Sequence, residues 1–174
     1  DYADIPAICA KANWYIGWIL ADLLLEHRKA VPYFQAIVHR YPQAALNLKS
    51  PVPWVSLVLP QIAQRPHTVA DQPDIYWAGI ALLELVRIGE HEADRWSAFQ
   101  KLYSEYPRSP ATGFAMRELL NSSGSLARKA APLAQAYLDA GFFSRPLARE
   151  IPGLLEKNRR LRPLVPPSRS REAR

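Results

Sequence analysis

The chain has 174 residues, and 49% of them are apolar, enough for one domain with a buried core and too many for a disordered chain. Seven basic groups against Glu172 alone in residues 157–174 account for the whole net charge of +6, which leaves residues 1–156 neutral and argues against a broad basic face for nucleic acid. Cys9 is the only cysteine, which excludes an intrachain disulfide and a four-cysteine zinc site.

The chain opens at Asp1 without Met, which leaves open a leader or anchor removed before it; no signal peptide is visible. Asp4 can cap a first helix, with Pro6 in its first turn. Trp14, Trp18, Ala21 and Leu25 then step by three and four along an apolar face. The stretch Ile5 to Leu25 is apolar enough to raise a membrane question. Lys11, Asn13 and Asp22 argue for a buried helix instead, because a charge at the bilayer centre costs about 2.5–3.5 kcal/mol. One flank resting on a membrane or on another subunit lies between these readings. Cys9 follows Ile8, not the small residue expected before a lipidated cysteine, and reads as a core thiol.

Ala30, Phe34, Ile37 and Val38 form the next stripe, on a helix ended by Tyr41-Pro42, since a residue before proline is pushed out of the α region. Ala44–Leu48 predicts one or two helical turns, and Trp54–Gln64 a helix bent or split at Pro60. Gln64–Pro73 is a polar linker. Asp74 is expected to cap a helix over Ile75–Ile88, stopped by Gly89. Glu92–Tyr106 follows, stopped by Pro107. Ser109-Pro110 opens Ala111–Leu120, and Ser125–Ala140 ends at Gly141. Ser144 and Pro146 open a last helix to about Asn158. The expected fold is all-α, about nine helices paired as antiparallel hairpins, over residues 1–158. Residues 159–174 form an extended basic Pro/Arg-rich tail.

The chain also repeats itself. Residues 33–44 read YFQAIVHRYPQA and residues 98–109 read AFQKLYSEYPRS, so Phe-Gln and Tyr-Pro recur at an offset of 65 residues, near twice a helix-turn-helix repeat length. Trp14, Ala30, Phe34 and Pro42 fall at positions 4, 20, 24 and 32 of a 34-residue frame. On these positions residues 6–140 resemble a divergent tetratricopeptide repeat. The small frame residue at position 8 is Trp18 here, with Gly17 one place early. The second copy keeps Phe99 and Pro107 but has Gly79 and Arg95 at the Trp and Ala positions, with Ala93 placed to pack in a shifted register. The phrases YPQAA and YPRSPA are similar to repeat junctions of bacterial envelope assembly proteins of this class. The resemblance implies a right-handed α-solenoid of stacked hairpins. It also implies a non-catalytic scaffold or assembly subunit, whose partners are other protein subunits of an envelope or membrane-associated complex.

Catalytic chemistry finds little support. His39, His67 and His91 lie in different predicted elements, and His27 stands at an exposed helix end. His91-Glu92-Ala93-Asp94 lacks the two-histidine zinc spacing and reads as the acidic start of a helix. There is no phosphate-binding glycine loop and no nucleophile elbow. No enzyme activity, cofactor or metal is expected. The candidate partner-binding residues are the aromatic residues Trp14, Tyr15, Trp18, Tyr76 and Trp77, and the basic Lys157, Arg159, Arg160, Arg162, Arg169 and Arg171. Two alternatives stand beside the scaffold: a tail that binds nucleic acid or an anionic membrane surface, and an auxiliary helical domain of an enzyme complex. No aromatic residue is interleaved with the tail's basic groups, so base stacking is unsupported and nucleic acid is the less expected partner.

Overall fold

A computed structural model describes residues 5–45, 75–122 and 124–160. Among them the fold is all-α, with seven α-helices and no strand. Helix α1 is Ile5–Trp18, α2 His27–Arg40, α3 Trp77–Ile88, α4 Glu92–Glu105, α5 Pro110–Asn121, α6 Ser125–Asp139 and α7 Arg145–Arg160. The polar linker and most of the proline-broken segment expected in residues 43–66 lie outside the described residues. Ala44 and Ala45, expected to start a helix, are not helical: Trp77 donates its N–H to the Ala44 carbonyl at 2.9 Å, and Ala45 bridges Tyr76. The Ala45 and Tyr76 backbones thus lie side by side, and α2 packs directly on α3. The same bridge holds Tyr76 extended, so α3 begins at Trp77 and not at Ile75.

Helix α1 does not run unbroken to Leu25. Residues Ile19–Leu23 form a π turn, and Leu24 donates its N–H five residues back to Ile19 at 3.0 Å. The extra residue rotates the stripe. Trp14 and Ala21 are buried as the spacing predicts, while Leu25 is 75% exposed with φ 55°. In α2 the expected stripe holds without change: Ala30, Phe34 and Ile37 are fully buried and Val38 nearly so. Prolines 32, 132 and 152 lie inside α2, α6 and α7 on exposed positions, where the helix continues through them on its solvent side.

Small residues set the closest helix approaches. A Cβ on Gly17 would stand 2.9 Å from the Phe34 ring, so Gly17 performs the small-residue task that the repeat frame places one position later. In the second copy Ala93 is exposed and packs nothing. Arg95 itself fills the site. Its stem lies where a Cβ on Gly89 would clash at 2.6 Å, and its guanidinium donates to the Val86 carbonyl at 2.7 Å and to Ser122 at 2.9 Å. An arginine fits there because hydrogen bonds satisfy its polar end while its methylenes pack.

The two Tyr-Pro segments share one backbone form. Tyr41 has φ −133° and ψ 43°, Tyr106 φ −131° and ψ 50°. Each tyrosine N–H closes its helix onto the residue four back, and each carbonyl accepts from the residue three on, Ala44 in one and Ser109 in the other. The turns are also gripped alike. The Tyr106 hydroxyl donates to the Pro42 carbonyl at 3.0 Å, and the Tyr137 hydroxyl donates to the Pro107 carbonyl at 2.6 Å. Ser109 caps α5 through a 3.3 Å bond from the Ala111 N–H, and Thr112 donates to the Tyr106 carbonyl at 2.7 Å. Gly141 at φ 71° ends α6 as predicted: Phe142 N–H reaches Tyr137 and Gly141 N–H reaches Leu138, with the Phe142 ring 5.2 Å from Tyr137.

Burial, and then the nearby Tyr103, push the Tyr137 hydroxyl up to about 12. The folded state thus prefers the neutral phenol. Its contribution is complete below the unfolded value of about 10 and is lost as pH rises from there towards the folded value. Tyr137→Phe should cost about 1–2 kcal/mol near neutral pH, because the Pro107 carbonyl loses its partner. In alkaline titration followed by phenolate absorbance, the wild type should show one late tyrosine that the variant lacks.

Candidate interaction groove

A groove of about 470 Å³ runs between α2 and α4, with α3 beneath it. Helical spacing builds both walls. Val31, Gln35, Val38 and His39 share one face of α2, and Asp94, Ser97, Ala98 and Lys101 share one face of α4. Leu82, Leu85 and Ile88 of α3 form an apolar floor. The volume suits several side chains of a bound peptide segment. The rim is polar: His27, Arg28 and His39 on one side, Glu90, His91 and Asp94 on the other.

Arg28 closes one end of the groove with Nε donating to both Glu90 oxygens, at 2.8 and 3.0 Å. That bond, more than the charge itself, holds the Glu90 carboxyl below its ordinary range. Both groups are well exposed, so the pair orients the rim and adds little stability. At the other end Lys101 pairs with Glu105 at 2.7 Å. Among the described residues no three His, Cys, Asp or Glu side chains converge as metal ligands.

The aromatic candidates lie elsewhere. Trp14 and Trp77 are 1% and 2% exposed, with ring centroids 6.0 Å apart at the joint of α1 and α3. Trp18 stacks on Trp14 at 6.3 Å and Tyr15 meets it edge-on at 5.5 Å; both are half-buried. Tyr76 is half-buried with its ring 5.7 Å from Tyr106. Residue type alone points to these five as partner contacts. In the structure Trp14 and Trp77 belong to the core, because α3 covers the face of α1 that carries Trp14. Lys157, Arg159 and Arg160 are exposed on the last turn of α7, where Glu156 pairs with Arg160 at 3.0 Å and Arg159 at 3.9 Å. Arg162, Arg169 and Arg171 lie outside the described residues.

The histidines, read one by one in separate elements, gave no sign of the groove. His27, His39 and His91 come together only because α2 lies against α3. That contact joins residues more than forty positions apart and leaves no local pattern.

One buried ion cluster ties these elements together. Glu84 on α3 is 2% exposed, and Arg87 donates to it at 2.8 Å and to Asp22 of the π turn at 2.9 Å. Burial raises the Glu84 carboxyl above its ordinary value, and Arg87 partly offsets this. Asp22, one of the polar residues that argued against a membrane span, thus anchors α1 to α3. Among the described residues no helix is long and apolar enough to cross a membrane. No family model, no curated protein and no solved structure matches this chain.

Proposed function

We propose that the chain is a non-catalytic interaction scaffold, a tetratricopeptide-like stack of antiparallel helix hairpins that receives a segment of another protein subunit. The stacking is supported by the packing order: α1 on α2, α2 on α3, α3 on α4, α5 on α6 and α6 on α7. It is supported further by the two matching Tyr-Pro turns, each held by a phenol from further along the chain. The observation that carries the function is the α2–α4 groove, whose apolar floor and hydrogen-bonding rim suit a peptide segment. The exposed cations that end α7 favour a second contact, continued by the basic tail, within a larger and envelope-associated assembly.

A photo-crosslinking residue in place of the exposed Gln35, on the groove rim, should capture one discrete partner from native extract. The same residue at the exposed Arg149 of α7 should not. Val31→Lys, which puts a charge on the groove wall, should abolish the Gln35 adduct without unfolding the chain. Equal capture from both positions, or capture that Val31→Lys leaves intact, would refute the groove as the binding surface.

A further inference from the structure

Helix α1, together with the π turn that continues it, is apolar on two opposite faces. Ala10, Trp14, Gly17 and Ala21 are buried against the body. On the other side Ile5, Ile8, Ala12, Ile16, Ile19 and Leu23 are all exposed. Their steps of three and four confine them to one narrow stripe. The exposures are large: 49% for Ile5, 63% for Ile8, 42% for Ile16, 41% for Ile19 and 62% for Leu23. Leu24 and Leu25 extend the patch at 57% and 75%. A helix that is hydrophobic all round is normally buried all round. The end of a helical stack normally carries a polar outer face. This outer helix lacks one.

We propose that this stripe is the interface of a homodimer, in which α1 packs antiparallel on α1 of a second copy. Three observations favour a second copy over other occupants. The stripe matches itself when reversed: Ile5 meets Leu23, Ile8 meets Ile19 and Ala12 meets Ile16 around a two-fold axis. Large residues pair near the ends, and the small Ala12 lets the helices close at the centre. The exposed side chains amount to on the order of 600 Å² per copy, or about 1,200 Å² for the pair, which reaches the range of specific interfaces. No stripe residue is charged, so pairing buries no charge. A lipid surface fits less well. Interfacial helices carry a polar face rich in Lys and Arg, whereas α1 has only Lys11 and a buried apolar face opposite the stripe. Helix α1 contributes no residue to the α2–α4 groove, so the two surfaces are tested independently.

The test is sedimentation velocity of the full chain from about 1 to 200 µM. The expected result is a species of twice 19.7 kDa, with dimerisation weakened roughly 100-fold by Ile8→Glu/Ile19→Glu. The variant should keep the wild-type helical circular dichroism. A cysteine arm stands independently of that variant's folding. In a Cys9→Ser background, mixed Ile8→Cys and Ile19→Cys chains should form a disulfide, and neither alone should. A monomer at every concentration, or a dimer indifferent to the charges, would overturn the proposal. So would cross-links of each cysteine variant to itself, or a monomer that co-sediments with vesicles of phosphatidylcholine and phosphatidylglycerol.

Discussion

Arg87→Met should lower the folding free energy by about 3 kcal/mol, measured by urea denaturation at neutral pH. The cause is Glu84. Its side chain is 2% exposed, and Arg87 is the cation beside it. Removing the guanidinium leaves a carboxylate that water cannot reach. The figure falls at the low end of the range for broken buried pairs because the Arg87 side chain is itself 37% exposed. The same change frees Asp22 and loosens the π turn from α3. The pH dependence has a definite sign. Burial already raises the Glu84 carboxyl above its unfolded value, and loss of Arg87 raises it further. The folded variant therefore binds a proton that the unfolded chain does not. Its deficit should shrink as pH falls from neutral towards the unfolded carboxylate value. The double change Arg87→Met/Glu84→Met should recover most of the loss, because an apolar pair leaves no charge buried. A single variant as stable as the wild type at neutral pH would show that Glu84 is reached by solvent.

The second large effect lies between α1 and α2. Phe34 is fully buried, and Gly17 meets its ring where any Cβ would stand at 2.9 Å. Phe34→Ala should cost about 3–5 kcal/mol, through lost transfer energy and the cavity left behind. Gly17→Ala should cost about 1–3 kcal/mol by overpacking, since the ring is enclosed and cannot swing aside. The two sites should be coupled. In the background of Phe34→Leu, whose side chain is shorter and not planar, Gly17→Ala should lose much less. A double-mutant cycle in denaturant measures the difference. Strict additivity would show that the helices move apart to admit the new methyl group.

Where short-range periodicity decides the structure, the sequence was readable. Ala30, Phe34, Ile37 and Val38 recur at helical spacing and point into the core. The cap at Ser109 and the stop at Gly141 follow from residue chemistry alone. The structure departs from the local rules where packing or backbone geometry overrides them. The π turn put Leu25 into solvent, because five-residue closure shifts the face that a 3.6-residue period assigns. Two close approaches fall on Gly17 and Gly89, which helical spacing does not single out, since side-chain size at a contact is set by the partner across it. Trp14 and Trp77 looked like surface anchors because their types favour interfaces, yet α1 meets α3 through them. The groove itself could not be read, since its walls come from helices that only the packed fold brings together.

The two tyrosine–proline hydrogen bonds bear on how the molecule comes apart. Each joins a turn to a phenol contributed from further along the chain, at separations of 64 and 30 residues. If the Pro42 turn opens, Tyr106 is left buried without its acceptor. If the Pro107 turn opens, the same is true of the more deeply buried Tyr137. Local melting at one turn therefore weakens the contact that a later segment makes with it. Such bonds couple the opening of each turn to the segments that hold it and favour cooperative loss of the neighbouring hairpins.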